Sequence, residues 1–441
     1  MNKKMKNFKF LILSKDLYAF LIFLFLFQPV ALKAQDKFAN GADIGWLSQM
    51  EASRYVFKNS SGIQMNCLDI LREKGINALR FRVWVDPIGG YCNKKDVAYM
   101  ANRADSLGFD IMIDFHLSDT WADPVHQTKP AAWAAHTITE LDSDVYRHVY
   151  DVLDTLKSIG ATPKWVQIGN ETNDGALWET ARATVHMDNF ASIIKSGYNA
   201  AKAVDSSIQV IVHLSNGHDI IMFRWMFDGL KNNGAKWDII GMSVYPYWAN
   251  LSWQADDSLA LITMNDMAAR YNTKVMVVEA GYLYYKPAEA NQYLLDLIEK
   301  TKSAGGLGVF YWEPESYNWQ SYQLGAWDPT SKEPTAAMDA FLGIPATSVK
   351  KNEIISGYSI IVYPNPFNSN TKIEYTLPEP SGVSITIYDI LGREVNRLVN
   401  GFKKAGNYSI TWSAGKVPSG VYLCRMSSGN FLETRKIILL K

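Results

Sequence analysis

A chain of 441 residues is too long for one average domain, although a single α/β barrel takes up roughly three hundred of them. Hydrophobic residues make up 48% and charged residues 20%, a balance that buries a large core and leaves little room for disorder. The formal net charge of zero removes any electrostatic basis for nucleic acid or an anionic membrane as partner and suits a neutral ligand.

The first 34 residues read as an export signal. MNKKMKNFK is basic and LYAFLIFLFLFQPVALKA is apolar with small residues at its end, so cleavage is expected near Ala34. That apolar run is only just long enough to span a bilayer, which ranks a retained membrane anchor second. From 35 to 342, β-branched or aromatic runs alternate with amphipathic segments: GADIGW (41–46), NALRFRVW (77–84), FDIMIDFH (109–116), KWVQIGN (164–170), IQVIVHL (208–214), WDIIGMSVYP (237–246), KVMVVEA (274–280) and GVFYWEP (308–314). Helical patterns such as MNCLDILREKG and VAYMANRADSLG lie between them and end in Gly, as helix C-termini often do. Eight βα units predict an α/β fold, a (β/α)8 barrel rather than an open doubly wound sheet. Residues 343–356 mix small, polar and charged residues without period and read as a linker. In 357–441, alternating runs TKIEYTL, VSITIYDI, NYSITW and VYLCRM separated by PEPSG, KKAGN and VPSG predict a small all-β sandwich. Cys67, Cys92 and Cys424 are an odd number, and no Cys/His cluster has metal-ligand spacing, so no zinc site is assigned; pairing of Cys67 with Cys92 is left open.

A barrel assembles its site from the C-terminal ends of its strands. There the sequence places Arg80 and Arg82, His116, Asn170-Glu171, Tyr245, Glu279 and Trp312-Glu313. Charged groups ending apolar strands are costly to bury unless paired or used. Cleavage of a glycosidic bond needs two flanking carboxyls, one protonated and one ionised, and Glu171 and Glu279 come from opposite sides of the mouth. Arg82 is expected to reach Glu279 and keep it ionised, with Tyr245 donating to the same group and Asn170 bonding the sugar 2-hydroxyl. Arg80 is expected to face the other side, in packing or an ion pair. Trp121 and Trp178 stand in loops where stacking platforms are useful, though core packing is an even alternative for each.

The stretches GADIGWLSQME, GINALRFRVWVDP, DIMIDFHLSDTWADP, VQIGNETNDGALW, VHLSNG, GMSVYPYW and VVEAGY, spread over about residues 40–330, resemble the arabinogalactan endo-β-1,4-galactanases, glycoside hydrolase family 53. The resemblance implies endo-cleavage of β-1,4-galactan with retention, Glu171 as acid/base and Glu279 as nucleophile. It places Arg82, His116, Asn170, Tyr245 and Trp312 around the sugar next to the cleaved bond, and Asp43 and Trp84 in matching motifs of less definite role. Some bacterial members carry calcium between their last loops, but Trp312 to Pro334 is short here and shows no oxygen-ligand cluster, so neither calcium nor any cofactor is expected. YPNPFN, TIYDILGREV and the closing VPSGVYLCRMSSGNFLETRKIILLK resemble the C-terminal sorting domain of the type IX secretion pathway, which implies the secretion machinery as a partner and a secreted or cell-surface product. A carbohydrate-binding module is the weaker reading of this tail, because it offers few aromatics in alternating exposed positions. The polysaccharide is the expected substrate and a monomer the expected state. A mannanase or endoglucanase of the same clan, or a glycan-binding barrel without turnover, are the competing functions.

Overall fold

The computed structural model describes residues 37–346, 358–429 and 431–440. The expected export signal and residues 347–356 of the expected linker lie outside them. The described residues form two compact units, divided after Ala346.

In the first unit, eight parallel strands close into a barrel: β1 (Ala39–Asp43), β2 (Ala78–Val83), β3 (Asp110–Phe115), β4 (Trp165–Ile168), β5 (Gln209–Leu214), β6 (Ile239–Val244), β7 (Lys274–Ala280) and β8 (Gly308–Trp312). One longer helix lies between each successive pair: α1 (Cys67–Glu73), α2 (Lys94–Ser106), α3 (Ile138–Ser158), α4 (Ala183–Val204), α5 (Ile220–Asn232), α6 (Trp253–Tyr271) and α7 (Pro287–Ser303). Several begin on a side chain that takes up a free backbone N–H, as Asn66, Asn93, Asp219 and Ser252 do, and α3 opens on a reciprocal Thr137–Glu140 capping box. After β8 the ring is closed by a 3-10 turn, Ala336–Leu342. The fully buried Asn291 of α7 fastens it, donating to the carbonyls of Ala336 and Ile344 and accepting from the N–H of Ala346.

The barrel interior has an apolar floor and a polar ceiling. Ala39, Ala78, Met112, Trp165, Ile211, Ile239, Met276, Val278 and Phe310 fill the floor. Two residues further along the same strands come Arg80, Asp114, Gln167 and His213, all fully buried. The period of two therefore turns Arg80 and Arg82 to the same side, and the expectation that Arg80 faces away from the mouth is wrong. At β7 the pairing with β6 slips from Met242–Val277 to Ser243–Glu279. This bulge lets Glu279 face inward although Val278 already does. The first strand is also shorter than expected: it stops at Asp43, whose carboxylate accepts the N–H of Gly45 at 3.1 Å, while Glu313 accepts that of Trp46. Cys67 and Cys92, left open as a pair, are separate buried thiols.

The second unit packs two antiparallel sheets. One has the order β9 (Ser359–Tyr363), β10 (Asn370–Leu377), β13 (Gly406–Ser413); the other runs β12 (Glu394–Lys403), β11 (Ser381–Asp389), β14 (Gly420–Ser428), β15 (Phe431–Leu439). Alternation sets the core: in β10, Thr371, Ile373, Tyr375 and Leu377 are buried and Lys372, Glu374 and Thr376 are not. Strand β12 lies at an edge, and its charged and polar residues leave it uninviting to further strand pairing.

Candidate active site

At the C-terminal ends of the barrel strands lies a cavity of about 580 Å³. Its lining includes Glu171, Glu279, His116, Asn170, Tyr245, Trp121 and Trp312, each singled out from the sequence. Arg82, Asp43 and Trp84 are not in that lining: Arg82 and Asp43 are fully buried below it, and Trp84 packs edge-on against His116 and Trp121. Trp178 is also absent from the lining, and its ring carries the Arg182 guanidinium at 4.4 Å instead.

Glu171 follows β4 through a turn in which Gly169 has φ +82° and Glu171 itself φ +44°. A Cβ on Gly169 would meet Thr172 at 2.5 Å, so glycine is required there. Thr172 and Asn173 then tie the loop to β5 through the His213 carbonyl and Ser215. The Glu171 carboxyl accepts from the Ser243 hydroxyl at 2.7 Å. Burial raises its pKa to about 7, with that hydroxyl pulling the other way.

Glu279 is held by Arg80, whose Nη2 lies 2.9 Å from Oε1, while the Tyr245 hydroxyl donates to Oε2 at 3.2 Å. The expected Arg82–Glu279 contact is thus made by Arg80. That guanidinium also contacts Asp43 (2.6 Å) and Asp114 (2.9 Å) and donates to Gln167 and Asn170. Burial works against its charge, but Asp114, Glu279 and Asp43 outweigh it and hold the group above its ordinary pKa. Burial also pushes Glu279 up, against Arg80, and the charge on Glu171 adds to the rise. The guanidinium touching Glu279 favours its ionised form against that rise.

Arg82 instead bonds Glu313 (2.5 Å). It lies beneath the aromatic wall of the cavity, 4.4 Å from the ring of Trp121 and 5.4 Å from that of Trp46. Trp46, Trp121, Trp312 and Tyr322 meet edge to face, which fixes their orientations as one wall. Burial raises Glu313 to about 7 against the pull of Arg82; the neighbouring Glu315 is pushed well up by burial and by Glu313. His116 bonds Asp114 through Nε2 (2.9 Å) and accepts the Ala122 N–H at Nδ1 (3.0 Å), so its ring is fixed in the cavity wall. Among the described residues no group of three or more His, Cys, Asp or Glu is arranged to hold a metal ion.

Several members of the site went unnoticed in the sequence. Ser243 and His213 sit inside apolar strands, and only their inward position, shared with Arg80, could have drawn attention to them. Trp46, Ser215, Asn216, His218, Gln320 and Tyr322 come from loops, and Trp248 from a four-residue helix (Pro246–Ala249), whose paths no periodicity gives.

Residues 39–350 match the family model described as glycosyl hydrolase family 53, and residues 361–440 match that of a secretion system C-terminal sorting domain. The chain is 33% identical over 301 residues to a probable arabinogalactan endo-β-1,4-galactanase A of Aspergillus terreus, covering 62% of this chain and 84% of that one. It is 32% identical to an arabinogalactan endo-β-1,4-galactanase of Cellvibrio japonicus, over 62% and 79% of the two chains. Among solved structures, one from a study of two fungal β-1,4-galactanases superposes with a TM-score of 0.65 at 29% identity, over 69% of this chain and 99% of the other. A family 53 catalytic domain from Ignisphaera aggregans gives 0.63 at 28% identity, over 71% and 97%. With the family model spanning the whole barrel and the paired glutamates in its mouth, this chain belongs to glycosyl hydrolase family 53, a glycoside hydrolase joined to a secretion-system sorting domain.

Proposed function

We propose that the enzyme cuts β-1,4-galactan internally and with retention, Glu171 serving as acid/base and Glu279 as nucleophile. The observation that carries this is the unequal surroundings of two glutamates lining one cavity: Glu279 touches the Arg80 guanidinium, which favours its ionised form, whereas the Glu171 carboxyl accepts from the neutral Ser243 hydroxyl. In the first step the Glu171 proton passes to the glycosidic oxygen, the bond from that oxygen to the anomeric carbon breaks, and a Glu279 oxygen bonds to the carbon. Water then attacks the anomeric carbon, Glu171 takes its proton, and Glu279 leaves. Asn170, with an Nδ2 hydrogen beyond the one given to the Ala122 carbonyl, is the group we assign to the sugar, while the His116 ring and the tryptophan wall give its apolar face a surface. The names of the relatives support galactan as the polymer, and the tail supports export through the type IX pathway; removal of residues 1–34 rests on their basic and then apolar sequence alone.

The test is incubation of the enzyme with linear β-1,4-galactan, mannan and β-1,4-glucan, following product sizes at early times. An early ladder of galacto-oligosaccharides is expected from galactan alone; products only from mannan or glucan would move the substrate. Glu171→Gln and Glu279→Gln should keep the fold and lose most turnover, and full activity in either would reject the assignment.

A further inference from the structure

We propose that His213 and Ser243 are positioning residues that keep the acid proton of Glu171 on Oε2, the carboxyl oxygen not bonded to Ser243. This rests on Glu171 being the acid/base. The inference follows from a chain of hydrogen bonds that begins at a group able only to donate.

Arg80 donates to Gln167 Oε1 from Nε (3.3 Å) and Nη2 (3.2 Å), which fixes the orientation of that buried amide. The Gln167 Nε2 hydrogens then go to their two nearest acceptors, Asp114 Oδ1 at 2.7 Å and His213 Nδ1 at 2.8 Å. The backbone N–H of Glu171 also points at His213 Nδ1, at 3.3 Å. Asn170 Oδ1 lies 3.1 Å from the same nitrogen, but a proton there would face two donors, and that oxygen already accepts from Arg80. Nδ1 is therefore the bare nitrogen. Burial, Arg80 and His116 hold His213 well below its ordinary pKa, so the ring is neutral and its one hydrogen is on Nε2. Nε2 lies 2.8 Å from Ser243 Oγ and donates to it. The Ser243 hydroxyl then sends its own hydrogen to Glu171 Oε1 at 2.7 Å.

Each link has one direction because the link before it has one. Oε1 is an acceptor whether Glu171 is ionised or not, so the proton of the acid form belongs on Oε2. A carboxyl whose proton can settle on either oxygen spends part of its time unable to deliver it. His213 and Ser243 are both fully enclosed, with exposures of 0% and 1%, so water does not compete for these bonds. The same guanidinium that starts the chain also holds Glu279, so both glutamates are set by Arg80.

The experiment compares kcat/KM for two aryl β-1,4-galactobiosides, one with a phenol leaving group that needs protonation and one with 2,4-dinitrophenol, which does not. Ser243→Ala should lower kcat/KM about tenfold or more for the phenyl substrate, a part of what general acid catalysis supplies, and leave the dinitrophenyl substrate within about twofold. His213→Leu should give the same selective loss. The ratio of the two values is independent of how much enzyme folds, so a partly unfolded variant still answers. Equal losses on both substrates, or no loss on either, would overturn the proposal. Glu171→Ala serves as reference: if it fails to spare the dinitrophenyl substrate, the acid/base assignment falls, and if the wild-type enzyme cleaves neither, the galactan reading does.

Discussion

Replacing Arg80 by Met tests the electrostatics of the barrel ceiling, because it keeps much of the stem and removes the cation. Asp43, Asp114 and Glu279 lie within 2.6–2.9 Å of the guanidinium, and all are buried. Breaking a buried ion pair by removing one partner costs about 3–5 kcal/mol. At roughly 2–4 °C per kcal/mol for a unit somewhat smaller than this barrel, a loss near 4 kcal/mol lowers the midpoint of thermal unfolding by about 10 °C. The loss should also depend on pH. Arg80 is the group that pulls Glu279 down against burial, so without it the folded-state pKa of Glu279 rises further. A carboxyl raised above its unfolded value binds more protons when folded, and its contribution is present at low pH and is lost as pH rises through the folded value. The gap between variant and wild type should therefore widen from pH 5 to pH 8, by at most about 1.4 kcal/mol per pH unit for each group involved. Thermal unfolding of both proteins across that range measures it. A difference below about 1 kcal/mol at pH 7, or one equal at every pH, would refute the reasoning.

Because burial sets the Glu171 pKa near 7, kcat/KM on galactan should fall as pH rises through that region; since the Ser243 hydroxyl lowers this pKa, Ser243→Ala should move the alkaline limb upward, and an unmoved limb counts against the contact. A Cβ on Gly45 would lie 2.4 Å from Arg82 Nη1, a group fixed by Glu313, so Gly45→Ala should cost about 1–3 kcal/mol and raise KM by tilting the tryptophan wall, read from thermal unfolding and steady-state kinetics. His148, packed edge-on between Phe115 and Trp133, is lowered to about 4 by burial. The unfolded chain then binds the extra proton between that value and about 6.5, so stability drops as pH falls through this window, by up to about 2 kcal/mol at pH 5, and His148→Phe should lose less stability than wild type between pH 7 and pH 5.

Local pattern was enough to find the eight barrel strands, because each is a short apolar run bounded by turn residues and separated by a helix-length segment. It was also enough to place Glu171 and Glu279, since both stand at the ends of such runs, where a barrel gathers its site. Alternation in the tail likewise marked the sandwich strands TKIEYTL and VYLCRM, while β12, exposed at a sheet edge, carried no such alternation and went unseen.

What sequence could not decide were relations between strands. Whether Arg80 or Arg82 touches Glu279 depends on which neighbouring strand end stands opposite each: both face inward, and the closed barrel brings Glu279 to Arg80 and Glu313 to Arg82. That Glu279 faces the cavity at all depends on a bulge against β6, visible only when two strands are laid side by side. The relay through Gln167, His213 and Ser243 joins three different strands whose residues are far apart in the chain. Hydrogen-bond direction is a property of the assembled layer: each donor is fixed by its neighbour, and the neighbours exist only once the barrel has closed.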